Sequence, residues 1–187
     1  MKLLYLHGFR STPDSPKAVA IADYCKTHDL VTPTIPQLPI SPKDSIKICE
    51  KIIQEHQIDT ICGSSLGGFY AMYLAEKYHL RCAAINPAVT PWNELKQANL
   101  QTRYNVEEIT KDDAIRFLAE LMHYETSELT DLKRYFLLVA MGDEVLNPWQ
   151  MRAHFKGAEQ IVVDEGDHAL NDFGGHLEPL MKFLSQT

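Results

Sequence analysis

The chain has 187 residues, of which 45% are hydrophobic and 23% are charged, so its composition fits one globular domain and excludes a disordered or fibrous protein. Its 18 basic and 25 acidic residues leave a formal net charge of −7, which argues against nucleic acid or an anionic membrane surface as a partner. No apolar run approaches the ~20 residues of a membrane span, and the segment MKLLYLHGFR lacks the pattern of a signal peptide.

The four cysteines indicate a reducing environment. Cys25, Cys49, Cys62 and Cys82 are scattered through apolar segments and form no Cys-x-x-Cys pair. We interpret them as buried free thiols. Together with the absence of a signal-peptide pattern, this predicts a cytoplasmic protein.

Short apolar runs alternate with helical patterns along most of the chain. The predicted strands are Lys2–Leu6, Leu30–Ile35, Thr60–Cys62, Arg81–Ile85, Tyr135–Met141 and Gln160–Val163. The predicted helices are Lys17–His28, one that begins at Ser41-Pro42, Leu66–Tyr78, Pro148–Lys156 and His176–Ser185. This alternation predicts an α/β fold, a doubly wound and mainly parallel six-stranded sheet with helices on both faces.

One segment interrupts the alternation. From Trp92 to Leu132 the pattern indicates two helical pieces and no clear strand, which is too long for a simple connection. We expect residues 92–132 to form a small helical cap within a single domain that spans residues 1–187. The apolar side chains that could roof a site are Trp92, Leu95, Leu100, Tyr104, Phe117, Leu121 and Met122.

The segment GSSLGG at residues 63–68 lies between a predicted strand and a predicted helix. It fits the pattern Gly-x-Ser-x-Gly, in which a sharp turn exposes one serine hydroxyl above the strand ends. The residues two positions away on each side must be small, and Gly63 and Gly67 satisfy this requirement for Ser65. For Ser64 the corresponding positions are not glycine. Ser65 is therefore the candidate nucleophile, although the same pattern also occurs in an ordinary turn that caps a helix.

A serine nucleophile needs a base and an acid, which in this topology follow later strands in the order Ser, Asp or Glu, His. Asp143 is the first carboxylate after the strand YFLLVAM, and His168 lies in the loop after the next strand. Parallel strands bring these loops to the same edge of the sheet. Ser65, Asp143 and His168 are the predicted catalytic residues.

Other assignments of the acid and the base stay open at this level. Glu144 is an alternative to Asp143, whereas Asp164 and Asp167 are expected to shape the histidine loop. A metal site formed by His7, His168 and Asp143 has no supporting ligand spacing. We therefore expect neither a metal nor a cofactor.

The loop LHGF after the first strand is predicted to complete an oxyanion hole. Acyl transfer needs two N–H donors for the developing oxyanion. The N–H groups of Leu66, at the start of a helix, and of Phe9 are the candidates. Gly8 permits close approach of the backbone, and His7 is expected to bond neighbouring loops.

Four segments together resemble an α/β-hydrolase: LHGF at 6–9, GSSLGG at 63–68, GDEVL at 142–146 and EGDHAL at 165–170. With PQLP at 36–39 and INPAVTPW at 85–92, the chain more specifically resembles the small bacterial esterases of the YqiA/YcfP type. The resemblance implies Ser65, Asp143 and His168 as a triad, and a minimal fold without the first antiparallel strands of larger relatives.

The predicted function is hydrolysis of a small-molecule acyl ester or thioester of short chain length. An acyl-CoA thioesterase or an acyltransferase would use the same triad, and a catalytically inactive binding module would retain only the fold. Neither the natural substrate nor the oligomeric state can be predicted from the residues.

Overall fold

The computed structural model describes residues 1–93 and 110–186. Its centre is a five-stranded sheet in which every neighbouring pair is parallel and the strand order follows the chain. The strands are β1 (Leu3–Leu6), β2 (Thr60–Ser64), β3 (Arg81–Ile85), β4 (Tyr135–Ala140) and β5 (Glu159–Val163). All carboxyl ends therefore lie at one edge of the sheet.

Helices cover both faces of this sheet, as the sequence predicted. They are α1 (Pro16–Thr27), α2 (Pro42–His56), α3 (Leu66–Tyr78), α4 (Lys111–His123), α5 (Pro148–His154) and α6 (Gly174–Leu184). The buried side chains of α1 and α6 share one apolar core with one face of the strands, and those of α2, α3, α4 and α5 share the other. The predicted α/β class with helices on both faces is confirmed.

The central strands are apolar on both faces because both faces are covered. All six residues of β4 and all four residues of β1 are buried. Continuous apolar runs of this kind are typical of parallel sheets between two helical layers. Because these apolar runs must stay buried, each strand ends where its run ends, and the loop that follows begins at the edge of the sheet.

One predicted strand does not form. Within Leu30–Ile35 only Thr34 pairs with the sheet, through hydrogen bonds of 2.8 Å from its N–H to the Leu3 carbonyl and 2.9 Å from the Tyr5 N–H to its carbonyl. Pro33 and Pro36 lack the N–H groups that would continue the ladder. The sheet has five strands for this reason, and Thr34 contributes an isolated bridge at its edge.

Helix α4 is the described helix of the segment from Trp92 to Leu132. It is held against α2 by Glu120, whose Oε2 accepts a hydrogen bond of 3.0 Å from the Lys43 N–H. A carboxylate at the amino end of a helix interacts favourably with the helix dipole. Leu95, Leu100 and Tyr104, the other apolar residues named for the cap, lie outside the described residues.

Candidate active site

Five strand ends converge on one edge of the sheet. The residues that follow the strands there are His7 and Gly8 after β1, Ser65 after β2, Asn86 after β3, Asp143 after β4 and His168 after β5. The fold thus brings together the residues that the sequence predicted as a site.

Ser65 stands in a strained turn between β2 and α3. Its φ of 55° and ψ of −122° are unusual for a residue with a side chain. A Cβ on Gly63 would lie 2.2 Å from the Gly67 carbonyl oxygen, and a Cβ on Gly67 would lie 2.2 Å from the Leu6 carbonyl oxygen. Both positions require glycine because the backbone passes too close for any side chain.

Ser65, His168 and Asp143 form a continuous hydrogen-bonded chain. The Oγ of Ser65 lies 3.1 Å from Nε2 of His168, and Nδ1 of the same ring lies 2.7 Å from Oδ2 of Asp143. These distances are within hydrogen-bond reach for a nucleophile, a base and an orienting acid. The imidazole is partly exposed, whereas the Asp143 side chain is fully buried.

The two candidate acids contact different parts of His168. The second oxygen of Asp143 accepts hydrogen bonds of 2.8 Å from the N–H groups of Val145 and Leu146, which fix the carboxylate beside the ring. The Oε2 of Glu144 accepts a bond of 3.0 Å from the main-chain N–H of His168. Asp143 therefore orients the ring, and Glu144 holds the loop.

Further contacts anchor the loop that carries His168. Asp167 accepts hydrogen bonds from the main chain and side chain of Asn171, in agreement with its predicted role in the turn. The Lys17 ammonium donates to the Ala169 carbonyl. Burial lowers the pKa of Lys17, and the nearby Asp167 carboxylate opposes this effect.

The first loop packs directly against the serine turn. A Cβ on Gly8 would lie 3.3 Å from the Cβ of Ser65, so glycine at this position allows the two loops to touch. The Gly8 carbonyl accepts from the Ser11 N–H at 3.1 Å, which closes a turn over Phe9 and Arg10. Phe9 and Leu66 line the same cavity as Ser65 and His168.

His7 is buried and bonds two loops. Its Nε2 accepts a hydrogen bond of 3.1 Å from the Leu38 N–H, so we assign the ring proton to Nδ1, which donates to the Gly8 carbonyl at 2.9 Å. The ring thus bonds its own loop through Nδ1 and the neighbouring loop through Nε2. Among the described residues no group of three or more His, Cys, Asp or Glu side chains could hold a metal ion.

A cavity of about 390 Å³ opens beside Ser65 and His168. Its lining includes apolar side chains from three parts of the chain: Ile40 and Pro42 at the start of α2, Ala114, Phe117, Leu118 and Leu121 of α4, and Val145 and Leu146 after β4. Met122, one of the side chains named for the roof, is instead 52% exposed, and Trp92 is buried in the core. Helix α4 therefore forms one wall of the cavity.

Comparison with known proteins identifies the family. A model of the uncharacterised protein family UPF0227 matches residues 2–185, nearly the whole chain. The chain belongs to the UPF0227 family. The predicted resemblance to the YqiA/YcfP type is confirmed, and the solved structures described next confirm the α/β-hydrolase fold.

Solved structures similar to this UPF0227 chain share its fold at low sequence identity. Alpha/beta hydrolase domain-containing protein 10 from mouse is 17% identical, with a TM-score of 0.72 over 98% of this chain and 90% of that one. Est1E from Butyrivibrio proteoclasticus, solved with ferulic acid, is 12% identical, with a TM-score of 0.73 over 98% and 89% of the two chains. A monoacylglycerol lipase from Paleococcus ferrophilus is 15% identical, with a TM-score of 0.63 over 97% and 94%.

Three residues of this UPF0227 site were not predicted from the sequence in the roles that they have. Asn86 and Lys17 bond the main chain of the histidine loop, and Glu144, predicted only as an alternative acid, bonds the main chain of His168. Hydrogen bonds to main-chain atoms need no particular partner residue, so no spacing in the sequence reveals them. The one available signal was the pair Asn86-Pro87 directly after a strand.

Proposed function

We propose that this protein is a serine hydrolase that cleaves short-chain carboxylic esters or thioesters through an acyl-enzyme on Ser65. The observation that carries the proposal is the hydrogen-bonded chain from Ser65 through His168 to Asp143. A monoacylglycerol lipase among the proteins of similar fold supports the same reaction class.

In the first half-reaction Nε2 of His168 takes the proton of the Ser65 hydroxyl, and Oγ attacks the acyl carbonyl carbon. The carbonyl oxygen becomes an oxyanion that accepts hydrogen bonds from the N–H groups of Leu66 and Phe9. Leu66 is the first residue of α3, where the N–H has no acceptor within the helix and the dipole favours negative charge. His168 then gives its proton to the departing alkoxide or thiolate.

Asp143 keeps the imidazole in the reactive tautomer. Its Oδ2 accepts a hydrogen bond from the Nδ1–H group, so the ring proton stays on Nδ1, and Nε2 is left unprotonated and faces Ser65. The carboxylate also stabilises the imidazolium that forms when the serine proton is transferred. In the second half-reaction a water molecule replaces Ser65 as the nucleophile, and the same proton transfers release the carboxylic acid.

The apolar cavity beside Ser65 supports the proposal that the acyl group of the substrate is apolar and binds there. Its apolar lining consists of aliphatic side chains and the rings of Phe9 and Phe117. Each methylene buried in such a cavity contributes about 0.8 kcal/mol. A volume of about 390 Å³ accommodates a short chain.

We also propose that the protein is located in the cytoplasm. All four cysteines are free and buried, which supports a reducing compartment such as the cytoplasm. Among the described helices, none has the length and apolar character needed to cross a membrane.

Turnover of p-nitrophenyl acetate and butyrate by the wild type, Ser65→Ala and Ser64→Ala tests the function. Ser64 is the matched control because it is the neighbouring serine of the same turn and has no part in the hydrogen-bonded chain. We expect Ser65→Ala to lower kcat by at least about 10³-fold and to abolish labelling by a fluorophosphonate. Ser64→Ala should stay within about tenfold of the wild type. Equal turnover by the wild type and Ser65→Ala would rule out this mechanism.

A further inference from the structure

Asn86 is a buried polar residue at the centre of the site edge. It follows β3, between the strand that leads to Ser65 and the strand that leads to Asp143. Only 1% of its surface is exposed, and its φ of 40° lies in the left-handed region, which asparagine tolerates better than most residues. A buried amide is costly unless its donors and acceptors are paired.

The Asn86 side chain bonds two loops of the site at once. Its Nδ2 donates to the main-chain carbonyls of Asp167 at 3.2 Å and of His168 at 3.1 Å. Its Oδ1 accepts a bond of 2.8 Å from the N–H of Ala140, the last residue of β4. The amide thus links the end of β4, which precedes Asp143, to the loop that carries His168.

The main chain on both sides of Asn86 forms hydrogen bonds with the main chain of Ser65. The Ile85 carbonyl accepts from the Ser65 N–H at 3.0 Å, and the Ala88 N–H donates to the Ser65 carbonyl at 3.1 Å. The segment Ile85–Ala88 therefore holds the main chain of Ser65, while the Asn86 side chain holds the main chain of His168. A single segment fixes both partners of the proton transfer.

We propose that Asn86 is the positioning residue that sets the position of His168 relative to Ser65, and that it acts on the reaction through His168. The proposal rests on the proposed function. Asp143 fixes the orientation of the ring, but the distance from Nε2 to Oγ also depends on where the main chain of residue 168 lies. Glu144, which is exposed, binds the N–H of that residue, whereas the buried Asn86 binds its carbonyl.

Asn86→Asp separates this role from support of the fold, whereas Asn86→Ala does not. Asn86→Ala removes all side-chain bonds and leaves the Ala140 N–H without its acceptor. Asn86→Asp keeps the size and the oxygen that accepts from Ala140, but it replaces the donor by an oxygen facing two carbonyls. Thr60→Val is the control, because Thr60 is a buried polar residue that donates to Asp59 at the opposite end of β2.

The experiment measures kcat and KM for p-nitrophenyl butyrate, per folded enzyme, with the melting temperature of each variant. We expect Asn86→Asp to remain folded and to lower kcat by about 10²-fold, with KM within about threefold, because small displacements of catalytic groups have effects of this size. Thr60→Val should lower the melting temperature without changing kcat. In a His168→Ala background, Asn86→Asp should have no further effect on the residual rate, since residues that act through one another are not additive.

Two results would overturn the assignment of Asn86. One is a folded Asn86→Asp variant whose kcat stays within threefold of the wild type. The other is an equal loss of residual rate when Asn86→Asp is added to His168→Ala, which indicates an effect on the fold and not through the histidine. A wild type without Ser65-dependent hydrolysis would instead overturn the proposed function, and this assignment with it.

Discussion

Asp143 and Glu144 are adjacent carboxylates that bind different atoms of one histidine. Asp143 reaches the ring nitrogen, and Glu144 reaches the main-chain N–H of the same residue. Only the bond to the ring determines which tautomer is present and stabilises the imidazolium. The two carboxylates should therefore differ sharply in their contribution to the proposed reaction.

Substitution of each carboxylate by its amide tests this difference. The amide N–H of Asp143→Asn can donate a hydrogen bond to Nδ1, which favours the tautomer with the ring proton on Nε2 and blocks proton abstraction from Ser65. We expect kcat for p-nitrophenyl acetate to fall by up to ~10⁴-fold. Glu144→Gln keeps an oxygen for the His168 N–H and is the matched control, with kcat expected within about tenfold of the wild type. A large loss in Glu144→Gln with unchanged activity in Asp143→Asn would transfer the role to Glu144.

Chain order explains why the common location of Ser65, Asp143 and His168 could be predicted, whereas the contacts that support them could not. Ser65, Asp143 and His168 each follow a strong apolar run, and parallel strands place such positions together. The contacts of Asn86, Glu144 and Lys17 depend on which main-chain atoms face one another across loops. These main-chain atoms come to face one another only when the strands have paired in register in the folded sheet.

At the scale of elements, the serine turn depends on three backbones that approach very closely. Gly67 lies against the last residue of β1, so that β1, β2 and α3 meet without intervening side chains. The predicted boundaries of α3 were confirmed, because the turn at Ser65 begins it abruptly and His79, in the left-handed conformation, ends it. The predicted edge strand at Leu30–Ile35 did not form, because two prolines limit its pairing.

Gly67→Ala should disturb this junction. Its Cβ would lie 2.2 Å from the Leu6 carbonyl oxygen, so the first strand or the helix must move. We expect a loss of about 1–3 kcal/mol in the free energy of unfolding and at least a tenfold fall in kcat. Gly175→Ala in α6 is the control, because a Cβ added there would meet nothing within 4 Å and alanine favours a helix. Urea unfolding of both variants checks this, and equal stabilities would contradict the close approach.

Helix α4 should set the acyl-chain length that the cavity accepts. Phe117 lines the cavity, whereas Ile115 on the same helix is 67% exposed. Phe117→Ala enlarges the cavity, so we expect the ratio of kcat/KM for p-nitrophenyl hexanoate to that for p-nitrophenyl butyrate to rise by about 15-fold, because each of the two additional buried methylenes contributes about fourfold. Ile115→Ala should leave this ratio unchanged. A constant ratio in Phe117→Ala would exclude α4 from the acyl site.

For the whole molecule, the buried cysteine thiols make the free energy of unfolding depend on pH in the alkaline range. Burial raises the pKa of Cys49 from 9.0 to about 12, and it also raises the pKa of Cys25, Cys62 and Cys82. The folded protein therefore keeps these thiols protonated over a pH range in which the unfolded chain ionises. Lys17 acts in the opposite direction, because a lowered pKa makes the folded state more stable as pH rises toward 10.5.

Four thiols outweigh one lysine, and the raised pKa values of Tyr5, Tyr70, Tyr124 and Tyr135 act in the same direction as those of the thiols. The free energy of unfolding should therefore fall as pH rises above about 9. In that range the folded state binds more protons than the unfolded state, and each thiol contributes a slope of about 1.4 kcal/mol per pH unit until its folded pKa is reached. Urea unfolding at pH 7, 9, 10 and 11 measures the slope. Cys49→Ala removes one thiol whose pKa is raised far above 9.0, so the slope should become shallower by about 1.4 kcal/mol per pH unit. Stability that is constant or rises over this range would show that the thiols are accessible to ionisation in the folded protein.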